Sequence, residues 1–72
     1  MLRKCSEIIE LIKDQISLRY GDRKIYDLDV AIELNITYSN IATMKSRNKI
    51  PYKEICEFAL IERINPNTLL YK

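Results

Sequence analysis

Histidine is absent from this 72-residue chain, glycine occurs once and proline only twice. With no histidine, and with Cys5 and Cys56 standing in no CxxC spacing, a zinc site lacks ligands. No glycine-rich phosphate loop occurs, and the carboxylates are scattered along outward helix faces, so no catalytic constellation assembles. The expectation is a protein that is not an enzyme and that needs neither metal nor cofactor. The scarcity of chain breakers favours helices with short connections over a strand-rich fold with many turns. Two cysteines are too few for a small secreted scaffold held by bridges. They read as small apolar fillers on buried helix faces, the alternative being a Cys5–Cys56 disulfide. No apolar run approaches membrane-spanning length, and no charged and apolar leader precedes a cleavage site. Those absences predict a soluble, cytoplasmic protein.

What is present is an ordinary globular mixture, 47% hydrophobic and 31% charged. A chain of this length makes one domain, and it buries only roughly 60% of its unfolded surface. Net charge is +2, but its distribution is uneven. Between Leu34 and Lys53 stand Lys45, Arg47, Lys49 and Lys53 with no acid, so the rest of the chain is acidic on balance. Such a stretch is the footprint of a phosphate-facing surface on an otherwise neutral body; a chance cluster on a solvated face is the plain alternative.

The periodicity predicts five helices and no strand. Cys5, Ile8, Ile9, Ile12 and Ile16 form one apolar stripe of a helix from Leu2 to Arg19, stopped at Gly21. Leu11 and Leu18 lie off that stripe. After a loop from Asp22 to Tyr26, a second helix starts with Asp27 as its N-cap and runs to Leu34, with Tyr26 stapled against Ala31. Asn35 supplies a left-handed stop. Thr37 caps a third helix that runs to Arg47. A fourth begins near Pro51 and runs to Arg63, burying Ile55, Cys56, Ala59 and Leu60. Asn65 and Pro66 open a short fifth helix that ends at Tyr71.

The segment from Asp27 to Ser46 carries the most specific signal. Two helices that cross steeply through a short turn need a small residue where they touch, a left-handed residue at the corner and a β-branched plug between them. Ala31, Asn35 and Ile41 fill those positions, while Val30, Leu34, Ile36 and Met44 fall at the other inward ones. Tyr38, Ser39, Ala42 and Thr43 fall outward.

This pattern resembles the helix-turn-helix of lambda-type phage repressors, with asparagine where that family usually has glycine. The likeness continues through Met44 to Ile55, MKSRNKIPYKEI, which is similar to the W-K-x-R-x-x-I-P-Y-E-x-I run of phage repressor DNA-binding domains, with Met44 in place of tryptophan. Asn65 to Leu70 looks like the family's closing helix, with Thr68 where an aromatic is frequent. The resemblance covers Leu28 to Leu70, while the first helix matches in type alone. Full-length members often add a C-terminal dimerisation or self-cleaving domain, for which 72 residues leave no room. It implies an all-α, compact, five-helix domain that binds double-stranded DNA as a small transcriptional regulator, a phage-type repressor, acting as a homodimer.

In such a domain the N-terminal part of the second motif helix enters the major groove and the first crosses the backbone. Base edges then meet Tyr38, Ser39, Asn40, Ala42 and Thr43, and an asparagine can pair with adenine. Thr37, Lys45, Ser46, Arg47, Asn48 and Lys49 are candidates for phosphate contacts, which position without reading sequence. Each has a plainer alternative: Thr37 as a cap, Arg47 as a complement to a helix C-terminus, Lys49 and Lys53 as solubilising charges. Asp27, at the start of the first motif helix, would be repelled by phosphate. Leu69, Leu70 and Tyr71 are candidate pairing residues, unless they close the domain's own core. Because fold does not fix function, a protein-interaction module without DNA binding is the rival reading.

Overall fold

The structure is a computed structural model and describes every residue except Asp22. Among the described residues five helices follow in order: α1 Cys5–Tyr20, α2 Asp27–Leu34, α3 Tyr38–Arg47, α4 Tyr52–Ile61 and α5 Pro66–Leu70. Among the described residues there is no strand, only an isolated antiparallel bridge between Leu2 and Tyr71. That bridge explains why α1 starts later than its periodicity suggests. Arg3 N donates to Leu70 O (2.7 Å) and Lys72 N to Met1 O (2.9 Å), so the first residues run extended along the end of α5. The expected loop after α1 holds for residues 23–26; Asp22 lies outside the described residues.

The α1 stripe is the spine of the core. Cys5, Ile8, Ile9, Ile12 and Ile16 are all at most 1% exposed, and α1 packs against α2, α3 and α5. Leu11 rests partly buried on that core, whereas Leu18 is exposed. Val30, Ala31 and Leu34 of α2 and Ile41 of α3 join it, together with Ile55, Phe58, Ala59, Leu69 and Leu70. In α4 the buried face differs from the expected one. Phe58 is buried while Leu60 is 76% exposed, and Cys56 is only half-buried. Ile55, Phe58 and Ala59 stand at i, i+3 and i+4 and form the stripe, which leaves Leu60 turned about 100° from Ala59. Both cysteines are free thiols; burial pushes the Cys5 thiol pKa up, and the nearby charge of Lys45 only partly opposes this.

Three helices end in the same way. Asn35, Asn48 and Arg63 adopt left-handed backbones, with φ of 57°, 52° and 58°. After each, the next amide reaches back five residues: Ile36 N to Ala31 O (2.9 Å), Lys49 N to Met44 O (2.9 Å) and Ile64 N to Ala59 O (2.8 Å). These are Schellman closures, which satisfy the last carbonyls of a helix and turn the chain sharply. Asparagine tolerates the conformation through its short polar side chain, whereas arginine bears more of the steric cost. With one glycine available, the fold makes its corners from larger residues.

The start of α2 also departs from expectation. Tyr26, not Asp27, is the N-cap. Asp29, three residues on, accepts from Tyr26 N at 2.8 Å, so the carboxylate that serves the helix start sits inside the first turn. Ile25, not Tyr26, is the buried residue preceding the cap, in one core with Val30. The apolar partner expected of Tyr26 is thus supplied one position earlier, and Tyr26 is 56% exposed.

Candidate nucleic-acid interface

The corner between α2 and α3 is built from three positions. Ala31 is 2% exposed, Asn35 holds φ 57° and ψ 45°, and Ile41 is fully buried. Ile36 and Met44 pack partly buried on the core beside them. Thr37 starts α3 with an extended backbone, and its Oγ1 accepts from Asn40 N at 3.3 Å. The helix therefore meets the core through Ile41 and turns its other faces outward.

The five residues expected to face bases, Tyr38, Ser39, Asn40, Ala42 and Thr43, are all exposed. Tyr38 is 58% exposed. Thr37 Oγ1 and Ser39 Oγ lie 3.4 Å apart. Thr43 donates its hydroxyl hydrogen to Ser39 O at 3.1 Å. This leaves the Thr43 oxygen with accepting capacity and its methyl group free for apolar contact.

The residues expected at phosphates divide into two groups. Thr37, Ser46, Arg47 and Lys49 are exposed. No carboxylate pairs with Arg47, Lys49 or Lys53 among the described residues. Lys45 and Asn48 have partners within the protein. Lys45 Nζ donates to Asp27 Oδ2 at 3.0 Å and is half-buried. Asn48 Oδ1 accepts from Cys5 N at 2.7 Å, clasping the end of α3 to the first turn of α1.

Asp27 changes meaning in this setting. Lys13 from α1 lies 2.8 Å away and Lys45 from α3 3.0 Å away. Burial alone would raise the Asp27 pKa, but the two ammonium groups hold it below its ordinary value. Lys13 also contacts Glu10 at 3.1 Å. Burial would lower the Lys13 pKa, and its two carboxylate partners raise it overall. The acid that seemed misplaced at the start of the first motif helix is an internal counter-ion joining three helices. Its charge is already met before any partner arrives.

No family model, curated protein or solved structure matches the chain.

One feature escaped the sequence reading. Arg23, Lys24, Tyr26, Leu28, Asp29 and Tyr38 line an open groove at the N-terminal end of α3. Its cations come from the α1–α2 connection, distant in sequence from the basic stretch, so a count along the chain does not reveal them. At the chain end, Leu69 and Leu70, candidates either for a pairing surface or for the protein's own core, are 2% and 7% exposed and belong to that core, which leaves only Tyr71 outside. With the chain end tied to residues 1–3, Leu69 and Leu70 face the core while Asn67 and Thr68 stay exposed. Among the described residues no cluster of metal-ligating side chains occurs, and no helix is long and apolar enough to cross a membrane.

Proposed function

We propose that this protein binds double-stranded DNA through α3, with a lambda-repressor-like helix-turn-helix, as a small transcriptional regulator of the phage-repressor kind. The observation that carries this reading is the left-handed corner at Asn35. It sets α3 across α2 so that Tyr38, Ser39, Asn40, Ala42 and Thr43 face solvent together, next to unpaired Arg47, Lys49 and Lys53. An exposed polar helix face flanked by free cations suits entry into the major groove, with base edges met by the first turns and phosphates by the basic flank. The pairing of Asp27 with Lys13 and Lys45 removes the main objection, since its carboxylate no longer stands as an uncompensated charge. One such helix spans only a few base pairs, so the reading includes a homodimer on paired half-sites about one DNA turn apart. Its pairing surface would lie outside Leu69 and Leu70.

One observation favours the interaction-module reading. Leu28 and Ile32, one turn apart on the outer face of α2, are 54% and 68% exposed. An apolar ridge there suits a protein partner, and its Ile32 end offers nothing to a phosphate chain.

Fluorescence polarisation of a labelled duplex across a salt series separates the two. Three unpaired cations at phosphates predict a slope of log affinity against log salt of about −3 per protomer. Absence of salt-sensitive binding at low salt would transfer the assignment to the interaction module.

A further inference from the structure

From the groove at the N-terminal end of α3 we infer a second DNA contact, in which the α1–α2 connection grips the sugar–phosphate strand that flanks the groove read by α3. The inference rests on the DNA-binding reading and extends it to residues outside the basic stretch.

The groove has a volume of about 660 Å³ and a floor of Tyr26, Leu28 and Tyr38. All three side chains are more than half exposed. Its rim carries Arg23 and Lys24. Among the described residues the acid at the rim is Asp29, and it is internally satisfied: it pairs with Arg23 and accepts from Tyr26 N at 2.8 Å. Arg23 is also stacked over the Tyr20 ring, 4.7 Å from its centroid. Lys24 lies over the Tyr26 ring at 5.3 Å and has no carboxylate partner among the described residues. Stacking holds an ammonium at a fixed place without neutralising it.

The charge that the described residues leave at this groove is therefore positive and positioned, above an apolar floor that ends in two phenol hydroxyls. A deoxyribose–phosphate strand offers the complement: sugar carbons for the rings and Leu28, anionic oxygens for Lys24 and the hydroxyls. Tyr38 belongs both to this groove and to the exposed face of α3, so the two surfaces are continuous. A strand lying here would be in register with bases met by the first turn of α3.

The test compares Lys24→Ala and Lys24→Arg with the unaltered protein, using the labelled duplex over a fourfold range of salt. Losing one phosphate contact makes the salt slope shallower by about 0.9, which is about a 3.5-fold smaller fall in affinity across that range. Lys24→Ala should show this change and Lys24→Arg should retain the original slope. In parallel, duplex should shift the amide resonances of residues 23–28 along with those of α3. If the unaltered protein binds duplex but Lys24→Ala keeps its slope, or the resonances of residues 23–28 stay in place, the groove does not hold the strand. In that case it is left to an apolar partner segment, and the DNA reading of α3 survives. If the unaltered protein does not bind duplex at all, both fall.

Discussion

Replacing Asn48 tests the physical core of this structure, because that residue performs two separable tasks. Its backbone turns left-handed at φ 52° and ψ 41°, ending α3. Its side-chain oxygen accepts from Cys5 N at 2.7 Å, capping one of the free amides at the start of α1. Asn48→Gly keeps the turn and removes the acceptor; Asn48→Ala removes the acceptor and also forces a Cβ-bearing residue without a local hydrogen bond into the left-handed region. Leaving the Cys5 amide unpaired beside a residue 1% exposed costs about 1–2 kcal/mol. The alanine backbone adds about 1 kcal/mol. The added chain freedom of Asn48→Gly, about 0.5–1 kcal/mol, is offset by relief of asparagine's modest left-handed strain, so Asn48→Gly should lose about 1–2 kcal/mol and Asn48→Ala about 2–3 kcal/mol.

These are large fractions of the total. At about 0.05–0.15 kcal/mol per residue, a 72-residue chain holds about 4–11 kcal/mol. Thermal melts followed by circular dichroism should show Tm lower by about 5–12 °C for Asn48→Gly and about 10–20 °C for Asn48→Ala, with urea midpoints falling in the same order. If Asn48→Gly matched the unaltered protein, the clasp to α1 would contribute nothing. If the two variants were equal, the left-handed corner would not be what holds the end of α3.

Arg63 offers the converse experiment. It holds φ 58° and is exposed, so Arg63→Gly should relieve about 1–2 kcal/mol of backbone strain against about 0.5–1 kcal/mol of added chain freedom. The expected net gain of about 0.5–1 kcal/mol appears as a Tm raised by several degrees; a lower Tm would refute the strain argument. For acid stability the sign follows from Asp27, whose folded pKa lies below the ordinary 3.8. Its contribution is fully present above that ordinary value and is lost as pH falls through the folded one. Urea midpoints of the unaltered protein and of Asp27→Asn should differ at neutral pH and converge below pH 3.8; a gap that persisted in acid would remove the counter-ion role.

What could be read in advance was what is encoded locally. The α1 stripe repeats with helical period and nothing competes with it. Ala31, Asn35 and Ile41 are set by the geometry of one corner, and Thr37 and Asn65 cap as their side chains dictate. The misreadings were decided at a distance. In α4 the run from Phe58 to Ile61 is apolar at every position, so periodicity cannot choose a face; packing against α2 and α5 chooses it. Asp27 is a good cap by residue type, but Lys13 and Lys45, from two other helices, claim its carboxylate. Leu2 and Arg3 read as helix until their pairing with the chain end is seen. The groove at Tyr26 and Tyr38 exists only because the chain folds back on itself.

Helix α3 has a single buried residue, Ile41, whereas α1 has five. Its outer side chains thus touch almost nothing that the rest of the protein needs. Substitutions at Tyr38, Ser39, Asn40, Ala42 and Thr43 leave the interior unaltered and carry only the small stability changes of surface positions. On the proposed reading, what α3 recognises is in that way uncoupled from what keeps the protein folded. A lineage carrying such a scaffold can drift to new targets one residue at a time without passing through an unfolded intermediate.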